Sequence, residues 1–218
     1  MKNTIKTFAL FLTAGAMLAS CDSYLDRQPD EPLTSDNIFK KQKTTLQYLT
    51  NIYSYQPDYE APACVSSNDD IPWEACSDET SFAYLDRSYT QINYNSWNPS
   101  MYLYRNDTYN TPYKGIREAN YFMQHVHECP ELTDTDKGYY YNEARFLRAH
   151  FYAMMLPVYG PVFLIGDDPV DFTQSGLDQR ERNTWDECVN YVANELWEAA
   201  KGLPDSWPDI YYGRATKG

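Results

Sequence analysis

The chain is predicted to be all-α, with paired helices that carry long irregular loops rich in aromatic residues. Three observations carry that prediction. Apolar residues recur at three-four spacing in several segments, which gathers them on one helical face. Cap and stop residues bracket those segments. Between residues 56 and 112 the periodicity gives way to a dense run of Pro, Asn, Asp and Ser, the punctuation of loops.

The first helical pattern covers Thr34 to Tyr55. Thr34 or Ser35 caps its start and Asp36 sits in the first turn, where the helix dipole favours a carboxylate. Ile38, Leu46, Leu49 and Tyr53 share one face. In YKGIREANYFMQHVHE, from Tyr113 onward, Ile116, Ala119, Met123 and Val126 make the next stripe. A helix from Lys137 to Leu156 follows, with Tyr140, Ala144, Leu147, Phe151 and Met154 inward. Pro157 lacks an amide donor and biases Leu156 away from helix, so an end is expected there, with Gly160-Pro161 as the exit turn. The last helix runs from Trp185 to Gly202. Thr184 and Glu187 form a T-x-x-E capping box, Val189, Val192, Leu196 and Ala199 face the core, and Gly202 and Pro204 stop it. Helix pairs with small residues such as Ala144 and Ala153 on their faces suggest tetratricopeptide-like packing, although periodicity alone does not establish a repeat.

Residues 1 to 20 have the parts of a secretory signal. Lys2 and Lys6 are basic, Phe8 to Leu18 is an apolar run too short to span a bilayer, and Ala19 and Ser20 are small. Leu18-Ala19-Ser20-Cys21 matches a bacterial lipobox, in which the Cys21 thiol is acylated after cleavage. The plainer alternative is an ordinary signal followed by an unrelated cysteine. Each buried acyl methylene contributes roughly 0.8 kcal/mol, so two or three chains make a stable anchor. Residues 21 to 33, with Pro29 and Pro32, read as a flexible tether, and residues 34 to 218 as the folded part. No later segment is apolar enough to span a membrane.

Removing the signal leaves 16 basic against 31 acidic residues, a net charge of −15. That balance excludes nucleic acid as a partner and a polybasic grip on lipid headgroups. Tyrosine is the other outlier, at 21 residues. Tyrosine serves half-wet recognition surfaces and interhelical packing alike; in the helical segments packing is the expected role. Of the cysteines after Cys21, Cys64 and Cys76 flank a short loop and are the candidate disulfide, while Cys188 falls inside a helical pattern and reads as a buried thiol. No spacing resembles a metal site, and nothing calls for a cofactor.

No catalytic signature is present: there is no G-x-S-x-G and no phosphate-cradling glycine loop. His125 and His127 are two apart on a helix and point to different faces. Asp69-Asp70, Asp78-Glu79 and Asp167-Asp168 are carboxylate pairs, but adjacency in sequence does not set two carboxylates across a glycosidic bond. INYNSWNPSMYLYRND, residues 92 to 107, alternates flat aromatic rings with amides. Sugar rings stack their C–H faces on such rings and pair hydroxyls with amides and carboxylates. The same aromatics would also anchor the loop on the helices.

Several stretches resemble the SusD/RagB family of nutrient-binding outer-membrane lipoproteins. YKGIREANYFMQHV (113–126) is similar to a family helix opening Y-K-G-I-R-x-A-N, and EARFLRAHFYAMMLPVYGPVFLI (143–165) to one reading E-A-x-F-L-R-A-x-x-Y before Y-G and an apolar run. WDECVNYVANELWEAAKGLP (185–204), GRATKG (213–218), CDSYLDRQP (21–29) and CSDE (76–79) also resemble family segments. Phe163 departs from the proline often found after Y-G. The resemblance implies a tetratricopeptide-like scaffold on the outer membrane of a Gram-negative bacterium. It implies a non-enzymatic lid over a SusC-like, TonB-dependent transporter that captures oligosaccharides, or peptides in some members. Family members are longer, and GRATKG is where a further helix would begin, so a missing C-terminal part is expected. The family has no fixed loop pattern, so the ligand contacts are named from chemistry: Trp73, Tyr94 and Trp97 to stack on sugar rings, Asp78 and Asn98 to bind hydroxyls.

Overall fold

The computed structural model describes residues 35–56, 77–79, 94–96, 98, 109–167 and 181–218. It divides into two compact units, Met1–Ile38 and Phe39–Gly218. In the first, the described part is one helical turn, Ser35–Ile38.

Among its described residues the second unit has four helices: α1 Gln42–Tyr53, α2 Asn110–His125, α3 Asp134–Tyr159 and α4 Trp185–Gly202. Single 3-10 turns follow α2 at Val126–Glu128 and α4 at Asp209–Tyr211. No strand occurs among the described residues, so the all-α expectation holds. The helix expected over 34–55 is interrupted. Phe39 turns inward, 3% exposed, and packs on Tyr48, Tyr121, Phe122 and His125. Lys41 has extended dihedrals and no side-chain cap of its own. Glu131 supplies one from the turn before α3, accepting the Gln42 amide at 2.7 Å.

α2 begins at Asn110, earlier than expected, because Pro112 in a first turn loses no hydrogen bond that the helix would make. Its predicted stripe of Ile116, Ala119, Met123 and Val126 is buried throughout. α3 is longer at both ends. Thr133 caps it by accepting the Asp136 amide at 3.1 Å. At the other end the helix runs through Pro157 to Tyr159. Only one backbone bond is lost there, the proline is exposed, and Leu156 gains more from burial than it loses to its neighbour's bias. Gly160, at φ 67, then ends the helix in a conformation that a side chain resists. Met155, not Met154, completes the inner stripe.

α4 occupies the expected residues, and both halves of its capping box form, Glu187 N to Thr184 Oγ1 at 3.3 Å and Thr184 N to Glu187 Oε2 at 2.8 Å. Its buried face is rotated from the predicted one. Cys188, Val192, Glu195 and Ala199 point inward, while Val189 is exposed. An apolar stripe read from sequence omits Glu195, and that omission shifts the phase.

Cross-helix pairs set the directions. Tyr113 meets Tyr152, and Asn120 meets Arg148, so α2 and α3 are antiparallel. Tyr191 meets Tyr152, and Glu195 meets Arg148, so α3 and α4 are antiparallel. α1 lies along the first half of α3 and the turn before it, from Glu131 to Glu143. At Gly115 the α2 backbone approaches α3 so closely that a Cβ would lie 2.5 Å from the Phe151 ring. This alternation of antiparallel helices around a shared core is tetratricopeptide-like.

Candidate functional site

The antiparallel order brings the start of α2, the end of α3 and the start of α4 to one end of the bundle. Tyr109 marks that end, edge-on to Tyr113 and Tyr159 at 5.1 Å each. The two long connections, 54–109 and 160–184, join the helices there. The first enters α2 at this end; the second leaves α3 and enters α4 at it.

The described part of the second connection is fixed by side chains that pair with its backbone. The Tyr113 hydroxyl accepts the Phe163 amide at 3.0 Å and donates to the Phe163 carbonyl at 2.9 Å. The Tyr152 hydroxyl does the same at Ile165, at 2.9 and 3.3 Å. Asn183 accepts the Leu164 amide at 2.9 Å, and Asn120 donates to the Gly166 carbonyl at 2.8 Å. The amides of 163, 164 and 165 and the carbonyls of 163, 165 and 166 are thus satisfied by side chains. Cys188, buried as its helical position predicted, packs its sulfur 3.5 Å from the Val162 carbonyl. Burial pushes the Tyr113 and Tyr152 hydroxyls well above the ordinary tyrosine range, so both remain neutral donor–acceptors.

Behind that segment lies an ion-pair cluster. Arg148, 3% exposed at its side chain, donates to Glu195 at 2.5 Å and to Asn120 and Asp167 at 2.7 Å each. Arg145 adds a fork to Glu195 at 3.1 and 2.7 Å. Burial works against the Glu195 charge, but the hydrogen bonds from Arg145 and Arg148 outweigh it and hold the carboxyl below its usual range. Tyr191 is pushed up to about 12, mainly by burial, beneath the Arg148 guanidinium. Nothing in the spacing of Arg145, Arg148 and Glu195 along the sequence predicts that they meet, because they stand on two helices 47–50 residues apart. The available signal was Arg148's spacing, four residues after Ala144 and three before Phe151, which puts it on the same side of the helix as the inward stripe.

Of the residues chosen as ligand contacts, the structure describes three. Asp78 is exposed in the bend 77–79. Tyr94 is 68% exposed, in a turn whose Asn95 takes φ 55, a conformation asparagine tolerates better than most. Asn98 is exposed. What they share is presentation to solvent from the connection between α1 and α2. Trp73 and Trp97, the lipidation candidate Cys21 and the disulfide candidates Cys64 and Cys76 lie outside the described residues. The helical tyrosines Tyr48, Tyr53, Tyr113 and Tyr152 pack as expected, each with its hydroxyl hydrogen-bonded. Among the described residues no group of side chains could hold a metal ion, and no helix is long and apolar enough to cross a membrane. His125 instead pairs with Glu128 at 2.9 Å and stacks on Phe39.

A family model described as "Starch-binding associating with outer membrane", SusD-like, matches residues 23–218. No curated protein matches the chain. Among solved structures, a SusD-like protein from Bacteroides fragilis superposes with a TM-score of 0.65 at 23% identity, over 88% of this chain and 35% of its own. A laminarin-binding SusD-like protein gives 0.64 at 18% identity, over 82% and 38%. Surface glycan-binding protein A from Bacteroides uniformis gives 0.63 at 18% identity, over 81% and 39%. At such identities the likeness is one of fold, and the chain spans less than two fifths of the length of these structures. With its helices, their order and 196 consecutive residues fitting one family model, the chain belongs to the SusD-like family.

Proposed function

We propose that this chain is the N-terminal part of a surface glycan-binding lipoprotein that captures oligosaccharides and delivers them to a SusC-like, TonB-dependent outer-membrane transporter. The observation that carries the reading is the family match over residues 23–218. Acylated Cys21 anchors the chain through a tether at 22–33, with no other membrane contact. The ligand surface belongs to the aromatic connection: Trp73, Tyr94 and Trp97 stack on sugar faces, and Asp78 and Asn98 take hydroxyls. The open, partly wet character of such a surface implies micromolar or weaker affinity, about −8 kcal/mol at best. The role is binding and hand-over, without catalysis.

The test is native affinity electrophoresis through gels containing a panel of plant and host polysaccharides. Retardation by at least one glycan is expected, and Trp97→Ala should weaken it roughly tenfold without unfolding the protein. Unchanged affinity would remove Trp97 from the site. The acidic charge supports a second reading, in which the ligand is a basic peptide or the chain is a transporter lid without a tight ligand. Neutral-sugar affinity should barely respond to salt, whereas peptide affinity should fall steeply as charges are screened.

A further inference from the structure

The chain after α4 folds back over α1 and α3 as a short strap, residues 204–218, closed on itself by the Lys217 amide and the Pro204 carbonyl at 3.0 Å. At its centre Arg214 enters a box with two kinds of wall. One wall is a carboxylate. Glu143 of α3 has a fully buried side chain and accepts both Arg214 Nε, at 2.8 Å, and the Arg214 terminal nitrogen. The others are aromatic: the guanidinium carbon lies 4.0 Å from the Trp207 ring centre, 4.8 Å from Tyr140 and 5.1 Å from Tyr211. Tyr53 of α1 closes the box, donating to Glu143 Oε1 at 2.5 Å and accepting the Ala215 amide at 3.0 Å. The Trp207 indole N–H donates to the Ala215 carbonyl at 2.7 Å, which holds the ring against the guanidinium plane.

These walls select for shape as well as charge. A planar fork meets a carboxylate through two parallel hydrogen bonds and stacks on flat rings; an ammonium meets the same surfaces as a strongly hydrated point charge. Glu143 is buried deeply enough that an empty box would leave an unpaired charge in the core. We propose that Tyr53, Tyr140, Glu143, Trp207 and Tyr211 form a guanidinium-recognition site, filled in cis by Arg214, and that this occupancy sets the course of the chain after α4. Glu143, Tyr140 and Tyr53 stand on helices whether or not the strap is docked. Trp207 and Tyr211 arrive with it, so docking completes the box around its own plug.

The experiment uses the whole chain with Arg214→Ala and Arg214→Lys, unfolded thermally in the presence of methylguanidinium or methylammonium. Both variants should lose roughly 10 °C in Tm. Millimolar methylguanidinium should restore the alanine variant and methylammonium should not, and adding Glu143→Gln should abolish the rescue. If Arg214→Ala does not fold in buffer alone, refolding that depends on methylguanidinium is the same readout. Glu143→Gln alone, which preserves volume, should make trypsin cut after Arg214 faster than in the wild type. An unchanged Tm in Arg214→Ala, equal rescue by the two cations, absence of rescue, or rescue that survives Glu143→Gln would each overturn the proposal.

Discussion

His150 stands half-buried on α3 with its ring stacked on Phe146 at 5.9 Å, and burial lowers its pKa below the ordinary histidine value. The sign of the consequence follows from linkage. In the unfolded chain the imidazole takes a proton near its ordinary pKa of about 6.5, while the folded chain resists it, so stability is present above that pH and falls below it. The loss should continue down to the folded pKa and then level off for this group. Urea midpoints measured from neutral pH downward should therefore decline earlier in the wild type than in His150→Phe, before carboxylates begin to titrate. Glu195 acts in a lower window, with stability lost as pH falls below the usual glutamate range toward its depressed folded value.

At the scale of helices, the contact between α2 and α3 depends on Gly115. A methyl there would press on Phe151, which is itself fully buried and has little room to give. Gly115→Ala should cost about 1–3 kcal/mol, read as a lower urea midpoint with an unchanged slope. The helices were the legible part of the sequence because their stripes and caps are local: Thr184 and Glu187 are three residues apart and announce α4 by themselves. The break at Phe39, the run through Pro157 and the inward turn of Glu195 were not legible, since each is decided by a distant partner. Gln42 is capped by Glu131, Leu156 is held by core packing, and Glu195 is drawn in by two arginines. The proposed ligand surface was legible only as a composition. Rings and amides in one loop announce a recognition chemistry without fixing which of them face a common ligand.

For the molecule as a whole, charge and anchorage point the same way. With 16 basic and 31 acidic residues after residue 20, this part of the chain has no net electrostatic attraction to anionic headgroups. No described helix is long and apolar enough to cross a membrane, and the proposed function assigns membrane attachment to the lipid on Cys21. Cys21→Ser should then move the protein quantitatively from the membrane to the soluble fraction of cells, and a labelled fatty acid should mark the wild type and not the variant. A variant that stays with the membrane would shift the anchor elsewhere.

The segment after Gly160 has a consequence for how this region can drift. Tyr113, Tyr152, Asn120 and Asn183 read its amides and carbonyls, which every residue type but proline presents alike. At positions 163 and 164 the side chains are free to change so long as the amide survives, and a proline at 163 would forfeit one of the two bonds to Tyr113 while keeping the other. Deleting a single residue between 162 and 166 would shift the residues beyond the deletion out of register with their partners. The stretch therefore behaves like a ruled line of fixed length: between the buried Val162 and Ile165 its spelling is open, its spacing is not.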